Sequence, residues 1–129
     1  GFSFLSLVHP SAWIAPSVSL SDGAQVMAGA IIQPDCEIGE NSIINTGANI
    51  DHDCIVAGNV HIAPGATLCG GVRVGLGAFV GSGAIVIQGL QIGAEAVVGA
   101  GVTLTRDLGP RSIRIGAASR IKSQLKHVG

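Results

Sequence analysis

An aliphatic residue stands at every sixth position from Val8 through Ile14, Leu20 and Val26 to Val98 and Leu104, seventeen times without a miss. If about a third of residues were Val, Ile or Leu at random, such a run would arise on the order of once in a hundred million chains, so the period is a property of the fold. Two positions before most of these aliphatics the side chain is small, as at Ala12, Ala24, Cys36, Ser42, Cys54 and Ala66. Side chains two apart on a strand face the same way, so the small and the branched residue share one interior. Each hexad therefore reads as a three-residue strand and a corner, and the corners hold the Gly, Asn and Asp that sharp turns need. Three hexads make a triangular coil of eighteen residues. The repeats then stack into roughly five and a half coils, a prism about 26 Å tall at about 4.8 Å per coil.

Composition agrees with such a prism. The only aromatics are Phe2, Phe4, Trp13 and Phe79, while Gly occurs 20 times, so the core is built from small and branched aliphatics and favours short strands over helices. A length of 129 residues suits one domain with one core. Seven basic against eight acidic side chains give no strong basic field, which argues against a nucleic-acid partner. No apolar run approaches the length of about 18 residues needed to span a membrane, and the apolar opening lacks the basic start of a secretory signal. Cys36, Cys54 and Cys69 match neither a zinc motif nor a disulfide framework, so a reducing cytoplasm is the expected compartment.

After Leu104 the hexad fails, because Pro110 falls where the next aliphatic is due and the following stretch is basic. The expected organisation is all-β, with residues 1–7 a junction, 8–108 a parallel β-helix and 109–129 a cap and tail. Residues 118–127 are expected to form a short C-terminal helix that covers the open sheet edge.

Stacking the chain at eighteen places Gly70 directly above His52, which lies at a corner between Asp51 and Asp53, with Asp35 one coil below Asp53. An imidazole, adjacent carboxylates and an accessible glycine amide are the parts acyl transfer needs: a base for the attacking amine or hydroxyl, a partner to orient it, and a donor for the oxyanion. A His between two Asp in a solvated turn is also an ordinary surface feature. Cys36 and Cys54 stack inward as packing groups, whereas Cys69 is expected exposed at a turn. His9 and His127 are read as structural or incidental.

The segment NTGANIDHDCIVAGNVHIAPGATLCGGVRVG, residues 45–75, resembles the active-site stretch of the hexapeptide-repeat sugar acetyltransferases that O-acetylate sialic acid or N-acetylate bacillosamine-type UDP-amino sugars. The handedness comes from this resemblance, since the general rule favours right-handed crossovers and this family is an exception to it: the prism is expected to be a left-handed parallel β-helix. The resemblance further implies that His52 is the general base, Asp53 its partner and Gly70 the oxyanion donor, and that His61 lines the acetyl-CoA or substrate pocket. It implies a homotrimer with sites between adjacent prisms, which brings His61 of one protomer toward His52 of another. The co-substrate is then acetyl-CoA, with no metal, and the acceptor is a sugar or nucleotide-linked amino sugar. Residues 1–105 carry one basic group, Arg73, whereas residues 106–129 carry six, so Arg106, Arg111, Arg114, Arg120 and Lys122 join Arg73 as candidates for the CoA phosphates. Family members normally begin with a nucleotide-sugar-binding α/β domain, and GFSFLSLVHPSA looks like the junction leaving it. Where they carry G-x-P-A near the C-terminal cap, this chain has Gly116-Ala117-Ala118-Ser119. Two other readings share the prism, a non-catalytic scaffold and a γ-class carbonic anhydrase with three His on zinc. Only His9, His52, His61 and His127 are available to the latter, at unsuitable spacing.

Overall fold

The structure, a computed structural model, describes residues 6–116. The chain turns a corner every six residues, and its strands stack into three parallel sheets that form the sides of a triangular prism. One side has seven strands: β1 (Leu7–Val8), β4 (Gln25–Val26), β7 (Ile43–Ile44), β10 (His61–Ile62), β13 (Phe79–Val80), β16 (Val97–Val98) and β18 (Ile113–Arg114). The second has six: β2 (Trp13–Ile14), β5 (Ile31–Ile32), β8 (Asn49–Ile50), β11 (Thr67–Leu68), β14 (Ile85–Val86) and β17 (Thr103–Leu104). The third has five: β3 (Ser19–Leu20), β6 (Glu37–Ile38), β9 (Ile55–Val56), β12 (Arg73–Val74) and β15 (Gln91–Ile92). The fold is the left-handed parallel β-helix expected from the repeat and the resemblance.

Each side is two residues long rather than three, because the corner claims four. In one of those four the backbone is left-handed. From Gly23 to Gly101 every sixth residue has φ between 56° and 76°, and the slot is held by Gly or by Asp35, Asn41, Asp53, Asn59 and Glu95. Asn and Asp tolerate this region better than other non-glycine residues, which is why they fill corners that Gly does not. Register between coils is eighteen, as in Ile62 beside Ile44 and Val80.

The aliphatic series fills the interior: Ile32, Ile44, Ile50, Ile62, Leu68, Val80 and Val86 are wholly buried, with Ala30, Ala48, Cys54 and Ala66 beside them. At about 1.5 to 3 kcal/mol for each such aliphatic, this burial offsets the entropy of ordering many short strands. The series is not core at its start, since Val8 is exposed and Ile14 half-buried in the first coil, where described residues pack on one side only.

The helical path continues past residue 108, where the sequence expectation ended it. Leu108 pairs with Ile92 and Arg114 with Val98, each sixteen residues apart instead of eighteen. Two residues are dropped from the last coil, so the hexad shifts phase and looks lost. Pro110 was the available signal: Pro10, Pro16, Pro34 and Pro64 all occupy the second corner slot, and Pro110 returns to it above Ala94. The helix expected at 118–127 lies outside the described residues.

Candidate active site

His52 and Gly70 lie on the edge between the six-strand and five-strand sides, each in the second slot of its corner. The imidazole rests on Gly70: a Cβ there would lie 2.8 Å from both Cε1 and Nε2 of His52, so the slot above the ring is open only to glycine. The His52 carbonyl accepts the Gly71 N–H at 2.9 Å, which locks the two coils at this point. The stacking inferred at eighteen is therefore a contact between ring and backbone.

Asp53 Oδ2 lies 2.9 Å from His52 Nδ1. A carboxylate only accepts, so the neutral ring carries its proton on Nδ1 and presents the Nε2 lone pair. Asp53 also occupies the left-handed corner slot at φ 59°, which turns its short side chain back on its neighbour. Asp51 Oδ1 accepts the His52 N–H at 2.8 Å and fixes the backbone from the other side. The hydrogen bond to Asp53, then the charge of Asp51, raise the His52 pKa above its ordinary value. His52 and Asp53 are 61% and 63% exposed, so within one chain the pair stands in water, where such an interaction is weak.

The Gly70 N–H has no hydrogen-bond partner among the described residues. Its slot explains this, since the prolines at 10, 16, 34 and 64 fill the same slot and have no N–H to give. The corner never uses that amide in the ladder. At His52 the equivalent amide is taken by Asp51 Oδ1, but Gly70 follows Cys69, which offers no such acceptor.

The other expected site residues are not gathered here. His61 lies on β10 of the seven-strand side, opposite the edge that carries His52. Its Nε2 is 3.1 Å from Asn45 Nδ2, and its ring meets Phe79 edge-on at 5.3 Å. Asn45 was missed as its partner; the signal was its place one coil below, at the end of the adjoining strand. Arg73 is exposed on the five-strand side, beside a groove of about 410 Å³ with Gln91 and Asp107. Arg106 and Arg114 line a separate groove of about 510 Å³ near the C-terminal end of the prism. Arg111 takes a left-handed corner slot at φ 58°, and Arg120 and Lys122 lie outside the described residues. Cys69, expected exposed, is half-buried, its carbonyl engaged by Cys54. His9 Nδ1 accepts from Ser11 at the first corner, a structural role. Among the described residues no three His, Cys, Asp or Glu side chains gather in a metal-ligand cluster, and no helix is long and apolar enough to cross a membrane.

Residues 17–52 match the bacterial transferase hexapeptide model of six repeats, and residues 71–106 match the hexapeptide repeat of succinyl-transferase. No curated protein matches the chain. Among solved structures, PerB from Caulobacter crescentus with CoA and GDP-perosamine is 50% identical, with a TM-score of 0.87 over 91% of this chain and 56% of that one. A histidine-to-asparagine mutant of perosamine N-acetyltransferase from the same organism, with the same two ligands, is 49% identical at the same TM-score and coverage. The acetyltransferase domain of PglB from Neisseria gonorrhoeae, with acetyl coenzyme A, is 36% identical, with a TM-score of 0.86 over 90% of this chain and 57% of that one. The chain thus spans a little over half the length of these relatives. Two family models that together match more than half its residues, and a β-helix shared with sugar N-acetyltransferases, place the chain in the family of hexapeptide-repeat transferases.

Proposed function

We propose that this chain is the catalytic β-helix of an acetyl-CoA-dependent acetyltransferase whose acceptor is a nucleotide-linked amino sugar. One observation carries the reading: an imidazole with Nδ1 held by Asp53 and Nε2 free, its ring resting on a glycine whose own N–H is unpaired. The acceptor amine attacks the acetyl carbonyl carbon, and Nε2 of His52 takes the proton released. The Gly70 N–H donates to the oxygen that becomes negative in the tetrahedral intermediate. Collapse re-forms the carbonyl and expels the CoA thiolate, which recovers the proton from the imidazolium. The relatives bound to CoA and GDP-perosamine support both the co-substrate and the acceptor class.

The site needs a second copy of the chain. His52 and Asp53 are too exposed alone for a dry reaction, while the seven-strand side turns Leu7, Ile43, Phe79, Val97 and Ile113 outward and the six-strand side adds Trp13, Ile31 and Ile85. The five-strand side instead bears Ser19, Glu37, Arg73 and Gln91 around a single apolar residue, Ile55. One apolar side, one mixed side that combines Trp13, Ile31 and Ile85 with Asn49, Thr67 and Thr103, and one mainly polar side suit a cyclic trimer in which the seven-strand side of one protomer packs on the six-strand side of the next. His61 then faces the neighbour's His52 edge and lines the acetyl-CoA pocket. Arg106 and Arg114, which share a groove, are better placed than Arg106 and Arg73 to hold one diphosphate, and Arg120 follows them in the chain. Three free cysteines fit a reducing cytoplasm, where acetyl-CoA is available.

The test is His52→Ala assayed with acetyl-CoA and GDP-perosamine. The expected result is a loss of about 10² to 10⁴ in turnover, with the trimer and calorimetric acetyl-CoA binding intact. Near-normal turnover refutes the role of His52, and no acetyl-CoA binding by the wild-type chain favours a non-catalytic scaffold.

A further inference from the structure

Most corners of the prism are closed by a turn hydrogen bond from the small residue back to the residue three before it, as from Ala48 to Asn45 and from Ala66 to Ala63. At 51–54 and 69–72, the corners of His52 and Gly70, that bond is absent, as it also is at 33–36, 57–60 and 87–90. At the corners of His52 and Gly70 the carbonyls it would have used are taken by buried thiols instead. Cys36 Sγ lies 2.9 Å from the Asp51 carbonyl oxygen, and Cys54 Sγ lies 3.2 Å from that of Cys69. Each thiol sits one coil below the carbonyl it serves, and the Cys54 N–H in turn donates to Cys36 Sγ at 3.4 Å.

The two carbonyls belong to the peptide groups 51–52 and 69–70, whose nitrogens are those of His52 and Gly70. Neither peptide is cis. In a planar trans peptide the C=O and N–H point to opposite edges, so a carbonyl held toward the interior turns its N–H outward. We propose that Cys54 is a positioning residue for acyl transfer: its thiol holds the Cys69 carbonyl inward and thereby fixes the Gly70 N–H outward beside the imidazole of His52. Cys36 does the same for the peptide that enters His52. The proposal rests on the reading of Gly70 as the oxyanion donor.

Packing alone does not ask for sulfur in this slot. Val60 and Val72 occupy equivalent positions in other corners and are equally buried. Only a side chain with a donor serves the carbonyl, and the two thiols stand under the two peptides that flank the site. Cys54 is buried in the apolar interior, where the charged thiolate is disfavoured, so the thiol keeps the one proton it donates to the Cys69 carbonyl. Ser42 performs the same task at a remote corner, donating to the Ala57 carbonyl at 2.6 Å and accepting the Val60 N–H at 3.0 Å.

Three variants of the full chain separate donor from volume. Cys54→Val keeps the bulk and removes the donor, Cys54→Ser restores a donor, and Ser42→Ala opens a corner away from the site. In amide NMR spectra of the ligand-free chain, the Gly70 resonance is expected to be single in wild type, Cys54→Ser and Ser42→Ala, and shifted or doubled in Cys54→Val. With acetyl-CoA and GDP-perosamine, kcat is expected to fall about tenfold in Cys54→Val at unchanged KM for acetyl-CoA, and to return to within about threefold in Cys54→Ser. Ser42→Ala lowers Tm and leaves kcat alone. An undisturbed Gly70 amide in Cys54→Val overturns the proposal, as does equal impairment of Cys54→Val and Cys54→Ser. If the Gly70 amide responds as expected while His52→Ala retains full turnover, the thiol's hold on the peptide stands and the acyl-transfer reading fails.

Discussion

At the scale of single residues, the site is a set of short-range constraints on one imidazole. Asp53 stabilises the protonated ring, so the proposed mechanism has His52 gain its base form only as pH rises through its elevated pKa. Asp53→Asn keeps an amide tolerant of the left-handed corner but removes the charge. The acid limb of the pH–rate profile should therefore move to lower pH, with reduced kcat; an unmoved limb would detach Asp53 from the titration. Gly70→Ala probes the contact on the other side. The backbone at 70 is not in the left-handed region, and the displaced ring is free to swing into solvent, so folding should survive with Tm nearly unchanged. Turnover should fall by about 10² as the base leaves the donor, measurable in the same assay. Ser42→Ala leaves a buried carbonyl and N–H without their partner and should cost about 1 to 3 kcal/mol in denaturant unfolding.

At the scale of the repeating element, two inward residues per hexad carry the fold, one on the strand and one at the end of the corner before it. Ile62 on β10 is wholly buried between Ile44 and Val80, so Ile62→Asp places an unpaired carboxylate in the axis of the prism. Soluble folding should be lost, and a mutant with a normal melting curve would refute the register. This much was legible in the sequence, because the six-residue period is local and every repeat restates it. The corners were legible only in part. Asp53 reads as a carboxylate beside a histidine, but its left-handed φ appears only when the slot is aligned with Gly47, Gly65 and Gly71. The end of the helix was misjudged because dropping two residues shifts the phase of Leu108 and Ile113 against a strict count of six.

At the scale of the whole molecule, the proposed trimer rests on the unequal sides of the prism. Phe79 sits near the middle of the apolar seven-strand side and packs edge-on against His61. Phe79→Asp should convert a trimer to monomers by light scattering at micromolar concentration and abolish turnover, while the melting of each prism changes little because Phe79 points outward. A wild-type chain that is monomeric at that concentration would remove the pocket the mechanism requires.

The sequence alone determined the prism, its interior and the stacking of position 52 under position 70, since all three follow from a period written into neighbouring residues. Tertiary structure decided what those positions do: which nitrogen of His52 is held, which amide is left unpaired, and which carbonyls the buried thiols engage. Those outcomes depend on side-chain direction and peptide orientation between coils eighteen residues apart. Periodicity places such groups near one another but does not say which way they point.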